Sequence, residues 1–401
     1  GIRAFSNRNK KTGQTRSPSV QVPAPFKLIF ILIYRITYSI LEMIYYQCMG
    51  ISNYNNASTQ EVHMSTKVRV AVDAMGGDNA PGEIVKGALQ ALEKQKNLAL
   101  IFTGQQGPLE AELKKYSYDA SRVTTVFAEE VIEMAEPPVA AIRKKKNSSI
   151  VTGLNMVKHG QADAFISAGS TGAVLAGGQL IVGRLKGVER PPLAPLIPTS
   201  RGVSLLIDCG ANVDARPSHL VQFAKMGSIY MQHVVGIANP RVAIVNIGAE
   251  EEKGNALVKE TMPLLKACRD IHFTGSIEAR DIPYGAADVI VCEAFTGNVI
   301  LKLFEGTSSM LLSEVKKTLM SSLRTKIGAA LIKPALKKTL KGFDASQYGG
   351  APMLGLKGLV VKTHGSAKAP EVKQSVIQCV NFSKQKINEK ISQQFGADDA
   401  E

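Results

Sequence analysis

One unit recurs along this chain from Val68 onward: a short apolar run, a polar turn rich in glycine, and then a helical pattern. The apolar runs are VRVAVD, LALIFTG, VTTVFA, DAFISAG, VSLLIDCG, RVAIVNIG, IHFTG, ADVIVCE and GLVVKTHG. The segments between them are long enough for crossover helices. Strands that alternate with such helices favour a largely parallel sheet covered on both faces. The sequence therefore predicts a doubly wound α/β fold.

Composition and charge narrow the class of protein. The 401 residues are 45% hydrophobic and 20% charged, which is typical of a globular chain with one large core or two moderate ones. The five cysteines are scattered and form no C-x-x-C pair, so a reducing cytosol is favoured over a disulfide framework. The net charge of +14 indicates an acidic partner, either an anionic membrane or an acidic carrier protein. Nucleic acid is disfavoured, because no arginine-rich or aromatic-interleaved motif is present.

Residues 1–63 differ from everything that follows. Their apolar stretch, FKLIFILIYRITYSILEMIYYQC, is interrupted by Lys27, Arg35 and Glu42 and falls short of a spanning helix of about 20 apolar residues. An interfacial anchor, a targeting segment and upstream sequence translated with the protein all remain open. The last is favoured because Met64 stands just before the first strand. We expect residues 64–401 to form the functional protein.

Polar glycine turns follow most of the predicted strands. They are DAMGGD (73–78), SAGSTGA (167–173), DCGANVD (208–214), NIGAEE (246–251), TGSIEARD (274–281), CEAFTGN (292–298) and HGSAK (364–368). Any one of them is explained by the glycines that tight turns need. Ligands of doubly wound sheets bind outside the carboxyl ends of the strands, where exposed N–H groups favour anions. Together the turns predict a site for phosphate or a developing oxyanion.

Several common catalytic motifs are absent from the sequence. No G-x-x-x-x-G-K-[ST] occurs, and no G-x-G-x-x-G opens a helix, so the usual nucleotide cradles are not indicated. No H-E-x-x-H or G-x-S-x-G occurs either, which disfavours a zinc site and a standard serine hydrolase. We expect neither a metal nor a cofactor.

A set of ordered motifs resembles one family. The matching pieces are AVDAMGGDNAPGEIVKGA, ADAFISAGSTGAVLA, RPPLAPLIPT, DCGANVDARPSHLVQFAKMGSIY, NIGAEEEKGNALVKE, FTGSIEARDI, ADVIVCEAFTGNVILK and YGGAPMLGLKGLVVKTHGSA. In this order they resemble the phosphate acyltransferases of bacterial phospholipid synthesis, which convert acyl-[acyl-carrier protein] and inorganic phosphate into acyl phosphate. Ser170 stands where the family often has Asn, and Glu293 stands where Asp is common.

The resemblance implies a three-layer fold similar to isocitrate and isopropylmalate dehydrogenases and to phosphotransacetylase. It also implies a cytoplasmic homodimer, peripherally associated with the membrane, that uses acyl carrier protein and phosphate. The product would pass to a membrane glycerol-3-phosphate acyltransferase and so feed phosphatidic acid synthesis. A nicotinamide-dependent β-decarboxylating dehydrogenase and a non-catalytic membrane scaffold for lipid enzymes are the alternative functions.

Candidate site residues come from the matched turns. Asp78, Asn298, Lys302 and His364 are the catalytic candidates. The substrate-binding candidates are Asp73, Gly76, Gly77, Ser170, Thr171, Gly172, Asn212, Asp214, Asn246, Glu293 and Gly297. The alternative roles are structural: turn capping by the aspartates, Asx turns at the asparagines, a solvated lysine and a structural histidine.

Residues 311–343 form a basic amphipathic element. Its apolar positions 312, 315, 319, 323, 327, 331, 336 and 340 recur mostly every four residues. Its basic residues are Lys316, Lys317, Arg324, Lys326, Lys333, Lys337, Lys338 and Lys341. A break near Gly328 or Pro334 would make it a helical hairpin. Packing in the core or in a dimer is one interpretation, and docking to anionic lipid or the acidic carrier protein is the other.

Overall fold

The computed structural model describes residues 67–397, apart from 249, 251, 343 and 344. The expectation for residues 1–63 therefore lies outside the described residues. The strands are β1 Val68–Asp73, β2 Leu98–Gly104, β3 Val123–Phe127, β4 Ala164–Ser167, β5 Leu196–Thr199, β6 Gly202–Ile207, β7 Arg241–Asn246, β8 His272–Glu278, β9 Val289–Val291, β10 Ala351–Met353 and β11 Leu359–Lys362. Each predicted apolar run overlaps one of these strands, although β8 extends past the run IHFTG to Glu278.

Helices separate most of the strands, as the pattern predicts. They are α1 Gly82–Lys94, α2 Gln106–Leu113, α3 Pro138–Lys144, α4 Ser149–Lys158, α5 Thr171–Gly177, α6 Pro217–Tyr230, α7 Ala256–Ala267, α8 Ala294–Leu319, α9 Leu323–Gly342, α10 Ala369–Lys384 and α11 Ile387–Ala397. Short π-helical turns at 178–182 and 231–235 extend α5 and α6. The α/β class predicted from the sequence is confirmed.

The described strands form two sheets rather than one. The first has the order β10-β11-β4-β1-β2-β3, and the second has the order β5-β6-β9-β7-β8. Within these sheets β10 and β5 run antiparallel to their neighbours, and every other neighbouring pair is parallel. The prediction of largely parallel pairing is therefore confirmed, with the strands divided between two sheets.

The sequence pattern missed β5 and β10. Both strands are short, both lie at a sheet edge, and each contains a proline, Pro198 or Pro352. Proline has no N–H to donate to a ladder and is confined to edges, so these strands lack the Val- and Ile-rich run that identifies a central strand.

Helices cover both faces of the first sheet. Val70 and Val72 of β1 belong to one buried cluster with Val85 of α1, whereas Ala71 belongs to another with Leu154 of α4. Successive side chains of a strand point to opposite faces, so β1 is apolar throughout because both of its faces are covered. Helix, sheet and helix make the three layers that were expected.

The two sheets share one core. The cluster that contains Val72 of β1 also contains Ile207 of β6 and Phe223 of α6. The segment between α5 and β5 links the sheets as well, because Leu193 pairs with Met353 of β10 and its N–H donates to Asp208 after β6 at 2.9 Å. The turns at the ends of both sheets are consequently held in a fixed relationship.

A helical hairpin is present, but its break was predicted in the wrong place. Residues 320–322 join α8 to α9, while Gly328 and Pro334 both lie inside α9. Ser322 caps α9: its Oγ accepts from Thr325 N at 3.2 Å, and Thr325 Oγ1 accepts from Ser322 N at 3.0 Å. This reciprocal cap starts a new helix at Leu323 and outweighs the local preference of a single glycine or proline.

Exposed side chains cover most of this hairpin. The bulky apolar side chains among them include Leu311, Leu312, Leu323, Ile327 and Leu331. Within the described residues, no helix has the length and apolar content needed to cross a membrane.

Candidate active site

Asp73 joins the turn after β1 to the turn after β4. Its carboxylate is buried and accepts from Ser167 Oγ at 2.6 Å and from Met75 N at 3.1 Å. Ser167 Oγ in turn accepts from Gly169 N at 3.0 Å. Burial raises the pKa of Asp73, and these donors oppose the shift. The structure therefore places Asp73 within the scaffold that holds the two turns together.

The glycine pair after β1 is required by close contacts with other turns. A Cβ on Gly76 would lie 2.3 Å from Asp73 Oδ2 and 2.6 Å from Gly169 N. Gly77 has φ +95°, and a Cβ there would lie 2.7 Å from Gly365 O. The turns after β1, β4 and β11 thus meet at these two glycines, and a phosphate cradle formed by them stays a prediction.

His364 lies in the third of these turns. Asp78 N donates to Gly365 O at 2.8 Å, which places two of the catalytic candidates beside each other. The imidazole Nδ1 of His364 is 2.8 Å from Ser366 Oγ, and its backbone N–H donates to Glu371 at 2.9 Å. Both Asp78 and His364 are exposed. The imidazole is therefore held through Nδ1, and Nε2 faces Glu305 at 3.9 Å.

Lys362, at the end of β11, was missed by the sequence analysis. Its side chain is buried, with 7% of the residue exposed, and Nζ donates to the carbonyl oxygens of Ala168, at 3.3 Å, and Thr363. Burial lowers the pKa of Lys362 to about 8, although the carboxylates of Glu371 and Asp73 oppose the shift. A lysine inside the apolar run LVVK was the available signal, since buried lysines are rare unless they are paired.

The turn after β4 opens α5. Ser170 is buried, and its Oγ accepts from Ala173 N at 3.4 Å as the N-cap. Thr171 is exposed at the first position of the helix. A Cβ on Gly172 would lie 2.4 Å from Pro138 Cγ, so this glycine permits α5 to approach α3 closely. Of these three candidates, Thr171 presents its side chain to solvent.

Asp208 has the same place in the second sheet that Asp73 has in the first. It follows β6, is fully buried, and accepts from Leu193 N at 2.9 Å, Ala211 N at 3.2 Å, and both Asn212 N and Nδ2 at 2.8 Å. Burial raises the pKa of Asp208, and the hydrogen bonds from these donors oppose the shift. The Asn212 amide also donates to Pro191 O at 3.0 Å, so it is committed to the scaffold. Asp208 was not among the predicted site residues, although it ends an apolar run as Asp73 does.

Glu293 and Gly297 fix the start of α8. The Glu293 carboxylate accepts from Phe295 N at 2.6 Å and from Thr296 N at 3.0 Å, which makes it the N-cap. A Cβ on Gly297 would lie 1.9 Å from Asp208 O, so the first turn of α8 packs directly on the Asp208 turn. These two residues determine where α8 points.

From this start α8 reaches the first sheet. Lys302 Nζ donates to Glu305 Oε2 at 2.7 Å, and the same oxygen lies 3.9 Å from His364 Nε2. Asn298 is exposed one helical turn before Lys302. The four catalytic candidates are all exposed, and three of them are linked through Glu305 and the Asp78–Gly365 hydrogen bond. Glu305 was missed, because only the tertiary structure brings it to His364.

A large polar cleft lies at the carboxyl edge of the second sheet. Its volume is about 1180 Å³, and its charged lining residues are Arg184, Arg190 and Arg216 together with Glu189, Asp214 and Glu293. A second cavity, of about 550 Å³, adjoins it, because both are lined by Asn255, Leu257, Glu293 and Phe295. Asn246 lines this second cavity, and its Oδ1 accepts from Ile247 N at 2.9 Å.

Nucleophilic and metal-binding groups are limited in the described part of the chain. Cys209 and Cys292 are buried, and burial raises the pKa of both thiols, so neither presents a reactive thiolate. Among the described residues, no three His, Cys, Asp or Glu side chains are grouped so as to hold a metal ion. The exposed candidate groups that could take part in a reaction are therefore a lysine, a histidine and the polar turns.

The sequence of this chain is similar to a known protein family and to several of its members. The model of a family described as fatty acid synthesis protein matches residues 68–390. The phosphate acyltransferase of Clostridium beijerinckii is 49% identical over 332 residues, which are 82% of this chain and 100% of that protein. The phosphate acyltransferase of Alkaliphilus oremlandii is 49% identical over 326 residues, or 81% of this chain and 97% of that protein.

A solved structure shares the fold. The crystal structure of a phosphotransacetylase from Streptococcus pyogenes matches with a TM-score of 0.53 and 17% identity, over 83% of this chain and 100% of that chain. The expected likeness to phosphotransacetylase is thereby confirmed for the fold.

Proposed function

This chain belongs to the phosphate acyltransferase family and is a transferase, and we propose that it transfers the acyl group of a long-chain acyl-[acyl-carrier protein] to inorganic phosphate. The observation that carries the proposal is the exposed cluster of Asp78, Lys302 and His364, where the turns after β1 and β11 meet α8. The two alternative functions, a nicotinamide-dependent β-decarboxylating dehydrogenase and a non-catalytic membrane scaffold, do not agree with membership of this family.

The reaction needs an anion site more than a covalent nucleophile. A phosphate oxygen attacks the thioester carbonyl carbon, a tetrahedral oxyanion forms, the C–S bond breaks, and the thiolate leaves and takes up a proton. Positioning and electrostatic stabilisation are the main sources of acceleration for such a step. In the proposed mechanism Lys302 neutralises phosphate, His364 protonates the leaving thiolate, and the turns of Gly76–Asp78 and Ser170–Gly172 surround the phosphate.

The polar cleft supports a carrier protein as the acyl donor. Three arginines line it beside three carboxylates, and arginine is well suited to the phosphodiester of a carrier's prosthetic arm and to acidic side chains. Asp214 and Asn212 lie in the turn that borders this cleft, and we propose that this turn orients the thioester.

The hairpin of α8 and α9 supports further proposals. Its exposed Lys316, Lys317, Arg324 and Lys326 favour peripheral association of a cytoplasmic enzyme with an anionic membrane. A membrane glycerol-3-phosphate acyltransferase would accept the acyl phosphate there and lead to phosphatidic acid. We propose a homodimer in which a second copy covers part of the exposed apolar surface of the hairpin.

A direct assay tests the reaction. The full chain, and a second protein that starts at Met64, would be incubated with palmitoyl-[acyl-carrier protein] and phosphate, without metal or nucleotide. Free carrier thiol would be measured, and acyl phosphate would be trapped with hydroxylamine. We expect phosphate-dependent thiol release with a trapped acyl group from both proteins. Release that is independent of phosphate, or no release, would refute the proposal, and activity of the full chain alone would refute the boundary at residue 64.

A further inference from the structure

We propose that the 550 Å³ cavity between α7 and α8 binds the acyl chain of the thioester substrate, an inference that rests on the transferase function proposed above. Its volume lies within the range of roughly 300–1,000 Å³ that is usual for small-molecule sites in proteins. The occupant is identified by the chemistry of the lining and by the neighbouring polar cleft.

The lining of the cavity is mostly apolar. Leu220, Ile244, Leu257, Val258, Val299 and Ile300 contribute aliphatic side chains. An alkyl chain gains affinity from each methylene that it transfers from water to such a lining. A polar or charged ligand would find few partners along these walls.

The cavity runs from the core to the surface. Leu220 and Ile244 are fully buried, whereas Phe295 and Ile247 are 66% and 79% exposed. A flexible chain can therefore enter past the exposed side chains and reach the buried ones. The exposed apolar residues at the entrance also suit a ligand whose alkyl chain enters the cavity first.

The polar end of the cavity lies where a thioester would be needed. Its polar lining residues are Asn246, Asn255, Glu293 and Thr296, and two of them, Asn255 and Glu293, also line the arginine-lined cleft. A substrate that is apolar at one end and anionic at the other would place its chain in this cavity and its carrier arm in the cleft. The thioester carbonyl would then lie beside Glu293, at the N-terminus of α8.

A chain-length experiment on the full chain tests the assignment. Val299→Trp would fill part of the cavity from α8. We expect kcat/KM for palmitoyl-[acyl-carrier protein] to fall at least tenfold and that for the octanoyl thioester to stay within twofold. Leu264→Trp, at an exposed position of α7 outside the cavity, is the control and should leave both values unchanged. If Val299→Trp does not fold, Ile247→Trp at the exposed entrance should give the same discrimination between chain lengths.

The outcomes separate this inference from the proposed function. Equal losses of kcat/KM for both chain lengths, or no loss, would overturn the assignment. If equal losses came with a change of oligomeric state, the cavity would instead be assigned to contact with a second copy of the chain. Absence of activity with every thioester would refute the function itself. Binding of an anthroyloxy-stearate probe, measured by fluorescence without turnover, should weaken at least tenfold in Val299→Trp, and unchanged binding would also overturn the assignment.

Discussion

Nε2 of His364 lies 3.9 Å from Oε2 of Glu305, although His364 follows the first sheet and Glu305 lies on a helix that starts at the second. This contact closes the candidate site across the two sheets. It depends on the direction of α8, which the cap at Glu293 and the close packing of Gly297 determine. The chemistry proposed for this protein therefore depends on packing at some distance from the reacting groups.

Lys302 and Lys317 offer a matched pair of substitutions on α8. Each lysine is exposed and pairs with a glutamate three residues away, but only Lys302 lies near His364. Lys302→Met should raise the KM for phosphate roughly tenfold to a hundredfold, because a hydrogen bond to a charged group contributes about 1.5–3 kcal/mol. Steady-state kinetics with varied phosphate would measure this. Lys317→Met should have no effect, and equal effects would remove Lys302 from the site.

Two glycines of α8 should respond oppositely to alanine. Gly297→Ala places a Cβ 1.9 Å from Asp208 O, so we expect a loss of about 2 kcal/mol or more in the free energy of unfolding. Gly306→Ala meets no atom within 4 Å and should gain roughly 0.5–1 kcal/mol from helix propensity. Urea unfolding of both variants measures the difference. A shift in the same direction for both would contradict the packing described for Gly297.

The stability contributed by Lys362 should depend on pH. Its pKa is about 8 in the folded protein, whereas lysine in an unfolded chain titrates near 10.4, so the unfolded state binds more protons between these values. The contribution of Lys362 should therefore rise with pH from about 8 to about 10, by at most about 3 kcal/mol. Urea unfolding of the parent protein and Lys362→Met at pH 7.5 and 9.5 would show their difference shifting in favour of the parent. Parallel changes in the two proteins would contradict the burial of a titrating Lys362, and Lys326→Met, at an exposed site, should follow the parent.

Ser167→Ala should destabilise the junction of the first sheet. The variant leaves the buried Asp73 carboxylate without its 2.6 Å donor, and an unsatisfied buried group costs about 1–3 kcal/mol. Thermal and urea unfolding would measure the loss. Ser309→Ala, at an exposed position of α8, should stay within about 0.5 kcal/mol of the parent. A Ser167→Ala protein as stable as the parent would show that Asp73 does not depend on this bond.

Reversing four charges on the hairpin should release the protein from anionic vesicles. The residues changed to glutamate are Lys316, Lys317, Arg324 and Lys326. Each basic residue near an anionic surface contributes about 1 kcal/mol, so binding to phosphatidylglycerol vesicles should weaken at least tenfold. The control makes the same charge change at exposed residues on the first sheet's side of the molecule. Those residues are Lys94, Lys96, Lys114 and Lys158. Equal losses in sedimentation with vesicles would assign the effect to net charge alone.

Local pattern was sufficient for much of the fold. The apolar runs identified every central strand, because a strand covered on both faces must be apolar throughout. Most of the glycine turns were also located correctly, since tight strand-to-helix connections need them. The turn predicted at 274–281 was wrong, because residues 274–278 continue β8. The edge strands β5 and β10 and the break in the hairpin were missed or misplaced, because prolines and a serine cap determine them rather than periodicity.

The sequence by itself determined the α/β class, the central strands and the turns from which a site is built. Only the tertiary structure decided which turns meet, that the strands divide into two sheets, and that Lys362, Asp208 and Glu305 belong beside the predicted residues. The contact between Asp73 and Ser167 spans 94 positions of the chain, and the order of the strands creates it. Strand order results from burying all apolar faces at once, and no local pattern of residues encodes that global balance.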